Sequence, residues 1–152
     1  MVQKKHNNIF HRFLIQKLIN IFNKRGKKVI AQAFVRNIFL KLKLGLNKNP
    51  ILLFLCTLKK LKPYVELIRI RKSGKSYEVP VPLKKKRQIF LAFSWFVSII
   101  KKQKNKNSSL MFNRYAKEIC KVLLNRGLLI NHKRSLIKKS FENRAYSHFR
   151  WS

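Results

Sequence analysis

The chain has 152 residues, a length suited to one domain, and 46% of them are hydrophobic, enough for a real core. Thirty-seven Lys and Arg face only four acids, a net charge of +33, or about one unbalanced cation for every five residues. Self-repulsion on that scale disfavours a compact monomer unless a polyanion binds it, which points first to nucleic acid and second to an anionic membrane surface.

The first helix is predicted over residues 9–24, from Phe10, Phe13, Leu14, Leu18, Ile21 and Phe22 at helical spacing, behind a short basic tail of residues 1–8. Gly26 with Lys27 and Lys28 breaks it. A second helix follows from about Lys28 to Lys43, carrying Ile30, Phe34, Ile38 and Leu42, and ends near Gly45. Asn49-Pro50 is a cap followed by a first-position proline, so a third helix should run to about Leu61, closed by Lys62-Pro63.

Residues 64–82 read as a β-hairpin arm. With Ser73-Gly74 as a two-residue loop, Arg71 faces Ser76, Ile70 faces Tyr77, Arg69 faces Glu78 and Ile68 faces Val79. Ile68, Ile70, Tyr77 and Val79 then share an apolar face, and Arg69 and Arg71 the polar one. Pro80 and Pro82 lack ladder donors, which argues against a central strand. A two-stranded ribbon is marginal in water, so it should lean on helices at its base and on a partner at its tip.

A fourth helix is expected from about Lys86 to Lys102, with Ile89, Phe93, Phe96, Val97 and Ile100 inward and Trp95 either packed or reaching a partner. Lys84, Lys85, Lys86 and Arg87 oppose the dipole at its start, which makes sense if phosphates sit there. The plainer alternative is a solvated charge run. The loop KKQKNKNSS leads to a fifth helix, Leu110 to Asn125, stopped by Gly127. A sixth begins near His132 or Lys133 and reaches about Ser147, leaving a tail of residues 148–152. The expected architecture is mainly α: one six-helix domain over residues 1–152 with a hairpin projecting between helices three and four.

Chemistry is sparsely provided. Glu66, Glu78, Glu118 and Glu142 are all the acids available for paired-carboxylate catalysis. No Gly-rich phosphate loop, HExxH, GxSxG or CxxC pair occurs, and His6, His11, His132 and His148 lack metal-ligand spacing. No enzyme, cofactor, metal or small-molecule substrate is expected. Cys56 and Cys120 lie in predicted helices with apolar neighbours and should be buried free thiols. The longest apolar runs, PILLFLCTL and IFLAFSWFVSII, fall short of the ~20 residues that span a membrane, and MVQKKHNNIFHRF is neither a secretory signal nor a convincing transit peptide.

One ordered set of signals resembles the small-subunit ribosomal protein seven family. It comprises Gly26-Lys27-Lys28, Lys62-Pro63-Tyr64-Val65-Glu66, Gly74 at the turn, Tyr77-Glu78-Val79-Pro80-Val81, and Lys86-Arg87 before a helix bearing Trp95. Ala116 and Glu118 with Gly127 follow, and Asn143-Arg144-Ala145-Tyr146-Ser147-His148-Phe149-Arg150-Trp151 completes it. The resemblance covers roughly residues 10–151. It implies a six-helix fold with a hairpin arm, binding to the 3′ major domain of small-subunit ribosomal RNA, and early nucleation of the subunit head. It also implies an arm near messenger RNA and exit-site transfer RNA, and the protein-eleven subunit as a neighbour.

Family members usually carry a longer basic N-terminal tail, often have a Gly-Gly pair at the hairpin tip, and show Ser-Met where Leu110-Met111 stands. Phe, Tyr, Met, Ile, Asn and Lys make 72 residues against 24 for Gly, Ala, Arg and Pro, a bias towards A/T-rich codons. Together these favour a mitochondrial, organelle-encoded member. The expected RNA contacts are Lys27, Lys28, Arg69, Arg71, Lys75, Tyr77, Lys84, Lys85, Lys86, Arg87, Arg144, Arg150 and Trp151. The rival readings are an architectural DNA-binding protein, with basic ribbons on a duplex, and a basic membrane-surface protein.

Overall fold

The computed structural model describes the backbone of residues 2–102 and 111–151, with side chains from 11 to 102 and from 111 to 150. Six helices and one hairpin follow in the expected order: α1 (Val2–Phe22), α2 (Lys28–Leu46), α3 (Pro50–Leu61), β1 (Val65–Lys72), β2 (Lys75–Pro82), α4 (Lys85–Lys102), α5 (Met111–Leu123) and α6 (Leu128–Glu142). A 3-10 segment, Asn143–Trp151, ends the described chain. The helix predicted from residue 9 begins at Val2 instead, so most of the expected tail is helical. The lysine-rich loop lies outside the described residues from position 103 onward, as do Leu110 and the side chains of His6 and Phe10.

Local chemistry explains most boundaries. The Asn49 side chain accepts the Ile51 N–H at 3.0 Å, and Pro50 holds the first helical position of α3. α2 runs through Gly45 and stops on Asn47, whose left-handed backbone (φ 49°) returns its N–H to the Lys43 carbonyl. At the hairpin, Ser73 and Gly74 both take positive φ, 50° and 76°, which matches the twist of the strands they join. The register is the predicted one in all four pairs.

The core gathers one face from each helix. Leu14, Leu18, Ile38, Leu42, Phe54, Phe93, Phe96, Tyr115, Ile119 and Leu129 are buried in it, with Phe54 against Phe39, Phe93 and Phe96. Truncating an aromatic residue in such a place costs about 3–5 kcal/mol. In α1 and α2 the expected Leu14, Leu18, Ile38 and Leu42 are buried, and the faces differ from expectation only at their edges. Phe13 (53% exposed) and Ile30 (63%) look outward, while Ile19, Ala31 and Val35 are buried. Cys56 is exposed, contrary to expectation, because α3 turns Phe54, Thr57, Leu58 and Leu61 inward and leaves it outside their arc; Cys120 is half-buried. Trp95 packs against the core, edge-on to His132 at 4.8 Å.

Lysines close two helix ends. Lys60 donates to the Leu123 carbonyl at the end of α5, and Lys133 donates to the Lys60 carbonyl near the end of α3, each at 2.6 Å. Such contacts satisfy carbonyls that a helix leaves open and complement its dipole. The helix six start differs most from the sequence reading. It begins at Leu128 because Glu118, buried in α5, accepts the Leu129 N–H at 3.3 Å and supplies the cap from another helix. Gly127, at φ +98°, leaves room for that carboxylate: a Cβ there would lie 2.6 Å from Glu118 Oε1.

Gly127→Ala should therefore destabilise the fold by about 1–3 kcal/mol, from left-handed strain plus the clash. In urea melts the loss should be smaller in a Glu118→Ala background, where the clash is gone. Equal losses in both backgrounds would remove the carboxylate from this account.

A pH effect follows from His132. Burial first, then Lys102 and Lys139, pushes its pKa below the ordinary 6.5. The folded state prefers the neutral ring, so this contribution is complete above about pH 6.5 and is lost as pH falls through the lowered folded value. Urea midpoints should drop between pH 7.5 and pH 5, and His132→Gln should flatten that dependence; an unchanged slope in the variant would contradict the assignment.

Candidate nucleic-acid interface

The residues nominated for RNA contact divide into two groups. The larger surrounds the hairpin. Leu83 donates its N–H to the Tyr64 carbonyl at 3.0 Å, closing the base of the ribbon just before Lys84. Lys84, Lys85 and Lys86 are all exposed, and the first turn of α4 contains no acid. Arg87 is already engaged: its Nε reaches Glu66 Oε2 at 3.1 Å and its Nη2 reaches Glu66 Oε1 at 2.8 Å. That two-pronged pair fastens the start of α4 to β1. The lysines beside it have no such carboxylate among the described ion pairs.

Along the arm, Arg69, Arg71 and Lys75 are exposed. Arg69 reaches Glu78 across the strands at 3.3 Å, a solvent-exposed contact that leaves most of its guanidinium accessible. Tyr77 is half-buried, with Tyr146 at 5.0 Å and Phe149 at 5.2 Å between ring centroids. Packing thus occupies at least part of the ring nominated for base stacking. Val79, on the same face, is fully buried. The lean of the ribbon is therefore on α6 and on the C-terminal segment.

The C-terminal cations follow that segment. The Arg144 guanidinium lies over the Phe141 ring at 4.5 Å with its chain exposed, and Arg150 is half-buried. The side chain of Trp151 lies outside the described residues. Sequence spacing missed Lys72, whose ammonium sits 4.7 Å from the Phe149 centroid and joins tip to C-terminal segment. Nothing local could have revealed it, because the contact exists only once the segment docks.

Lys27 and Lys28 form the second group. They are exposed at the start of α2, where no side chain caps the helix and the first turn has no acid. Open amides and two ammonium groups make that start receptive to an anion. It lies beside Lys101 near the far end of α4, so most of the length of that helix, roughly 24 Å, separates it from Lys85. The fold does not bring all the nominated cations to one place.

The described residues thus form a six-helix body with a basic arm and two cationic helix starts, at Lys27–Lys28 and Lys84–Lys86, whose first turns hold no acid. Among the described residues there is no metal-ligand cluster, and no described helix is long and apolar enough to cross a membrane. The chain belongs to the ribosomal protein S7p/S5e family, whose pattern matches residues 1–144. It is 33% identical over 155 residues to small ribosomal subunit protein uS7m of Reclinomonas americana, covering 99% of this chain and 96% of that one. Small ribosomal subunit protein uS7 of Pelagibacter ubique is 35% identical, covering 94% of this chain and 90% of its own length. The uS7m protein of Gallus gallus is 32% identical over 95% of this chain and 68% of its own. Members of the family are structural, non-enzymatic components of the ribosome, and this chain is a structural protein of the small subunit.

Proposed function

We propose that the chain serves in the small subunit of a mitochondrial ribosome, binding the 3′ major domain of the ribosomal RNA and nucleating assembly of the head. In this reading the arm extends towards messenger RNA and exit-site transfer RNA, and the protein-eleven subunit is a neighbour. The observation that carries the RNA contact is the exposed row Lys84, Lys85 and Lys86 at a helix start whose first turn has no acid. A free protein gains nothing from cations there, whereas a phosphate there meets both ammonium groups and open amides. Arg71, Lys75, Lys27 and Lys28 add phosphate contacts, Arg69, Arg87, Arg144 and Arg150 extend them, and Trp151 and Tyr77 supply aromatic surface. Recognition is of RNA shape and backbone rather than of a base code. The mitochondrial setting is supported by the names of the Reclinomonas and Gallus relatives, and an organelle-encoded gene by the A/T-rich codon bias.

Sedimentation of the tagged chain from organelle lysate tests the assignment. It should travel with the small subunit and move to light fractions after ribonuclease. Retention in heavy fractions after ribonuclease but not after deoxyribonuclease would transfer the reading to DNA.

The charge row has its own test. Lys84→Glu, Lys85→Glu and Lys86→Glu together place acids at the start of α4, each interaction worth about 0.3–1 kcal/mol at low salt. Thermal melts of the free protein should show equal or greater stability, while RNA affinity falls sharply. For the unsubstituted chain, log affinity should decline with log salt at a slope of roughly −4 to −9, as expected for about six to ten phosphate contacts. A triple variant that binds RNA unchanged would reduce the row to a solvated surface.

A further inference from the structure

Arg87 and Phe90 form a pair on the surface of α4 whose flat faces a phosphate does not use. They stand three residues apart, on one side of the helix, and the guanidinium carbon lies 5.4 Å from the Phe90 ring centroid. The next residues, Leu91, Ala92 and Phe93, turn into the core, whereas Phe90 keeps 48% of its surface exposed. A large apolar ring is thus left about half uncovered beside the most cationic stretch of the helix.

Glu66 fixes the other member of the pair. Its carboxylate accepts from Arg87 Nε at 3.1 Å and from Nη2 at 2.8 Å. Those two groups make the fork with which a guanidinium otherwise grips a phosphate. Nη1 can still meet a phosphate, but the fork is taken. Half of the Arg87 side chain nevertheless remains exposed. What the pair offers is a guanidinium plane held in place and a phenyl ring, and nucleobases stack on both.

The lysine row sets the distance. Lys86 precedes Phe90 by four residues, on the same side of α4 and about 6 Å along its axis. One nucleotide spans that distance between its phosphate and its base. A strand whose phosphates rest on Lys84, Lys85 and Lys86 therefore brings a base to the pair. An apolar protein side chain would also cover Phe90, but it brings no charge to the lysines, whereas a nucleotide answers both.

We propose that Arg87 and Phe90 form a stacking step for one unpaired nucleobase of the RNA whose phosphates occupy the lysine row. The step rests on the RNA reading of that row and adds a requirement the row alone does not make, a nucleotide whose base leaves the duplex at this point. Such stacking tolerates every base, so it accords with recognition of shape rather than sequence.

The probes are a short oligoadenylate and an abasic ribose-phosphate strand of the same length, each titrated into the full-length protein over a range of salt. Affinity is read from the backbone amide resonances of residues 84–88, so that only strand bound at the row counts. Phe90→Leu keeps an apolar side chain and removes the ring, and Phe90→Tyr restores a ring. Oligoadenylate should bind Phe90→Leu at least about fivefold more weakly than the wild type, with an unchanged salt slope because no phosphate contact is lost. Phe90→Tyr should stay within about twofold of the wild type, since either ring presents a stacking face. The abasic strand should bind all three proteins alike. The Phe90 ring resonances, identified by their absence from the Phe90→Leu spectrum, should move upfield saturably with oligoadenylate and stay in place with the abasic strand. An unchanged affinity of Phe90→Leu, an equal loss for the two strands, or a Phe90 ring that does not move overturns the stacking step, while a steep salt slope keeps the RNA reading of the row. A wild-type protein that binds neither strand overturns both.

Discussion

The Glu118 carboxylate beneath the start of α6 is the contact on which the hairpin side of the molecule depends. It is buried, and it accepts a backbone N–H from a helix that has no cap of its own. That bond sets where α6 begins and therefore which residues it turns towards the rest of the body. His132 reaches Trp95 and Lys133 reaches the end of α3 because α6 starts at Leu128. The C-terminal segment can cover the arm only because α6 delivers it to β2. A buried acid facing exposed amides is favourable twice, through its hydrogen bond and through the helix dipole.

Three of the four acids have a structural task. Glu66 ties α4 to the arm, Glu78 bridges its strands, and Glu118 orders α6. None of these pairs reduces the cation density of the surface by more than one charge. The protein thus has a well-packed interior beneath an exterior that repels itself, two properties normally traded against each other. Its ribosomal setting resolves the conflict, because the counter-charge belongs to the assembly rather than to the chain.

Features determined within a few residues were readable from the chain alone. The hairpin register follows from alternation around Ser73-Gly74, and α3 from Asn49-Pro50, and both stand as read. Features fixed by distant contacts were not. Phe13 and Ile30 could not be told from Ile19 and Ala31, because α1 and α2 carry apolar residues around much of their circumference and periodicity alone leaves the face open. Gly127 was legible as a break, but the cap that restarts the helix comes from Glu118. Beyond Glu142 no glycine or proline halts α6, and the aromatic packing of Tyr146 and Phe149 on Tyr77 accompanies the change to a 3-10 path. For the candidate site, charge and position were legible, whereas the pairing of Arg87 with Glu66 and the seating of Lys72 on Phe149 belong to the folded chain only.

The docking of Tyr146 and Phe149 on Tyr77 has a consequence for synthesis. The arm is translated well before the segment that covers its apolar face. At about 5–20 residues per second, the interval between Tyr77 and Tyr146 is roughly 3 to 14 seconds. During it the nascent ribbon keeps Tyr77 without the Tyr146 and Phe149 rings that later pack on it, and a two-stranded ribbon alone is marginal. Completion of the arm is thus a vectorial event that waits on the synthesis of α6 and the segment after it.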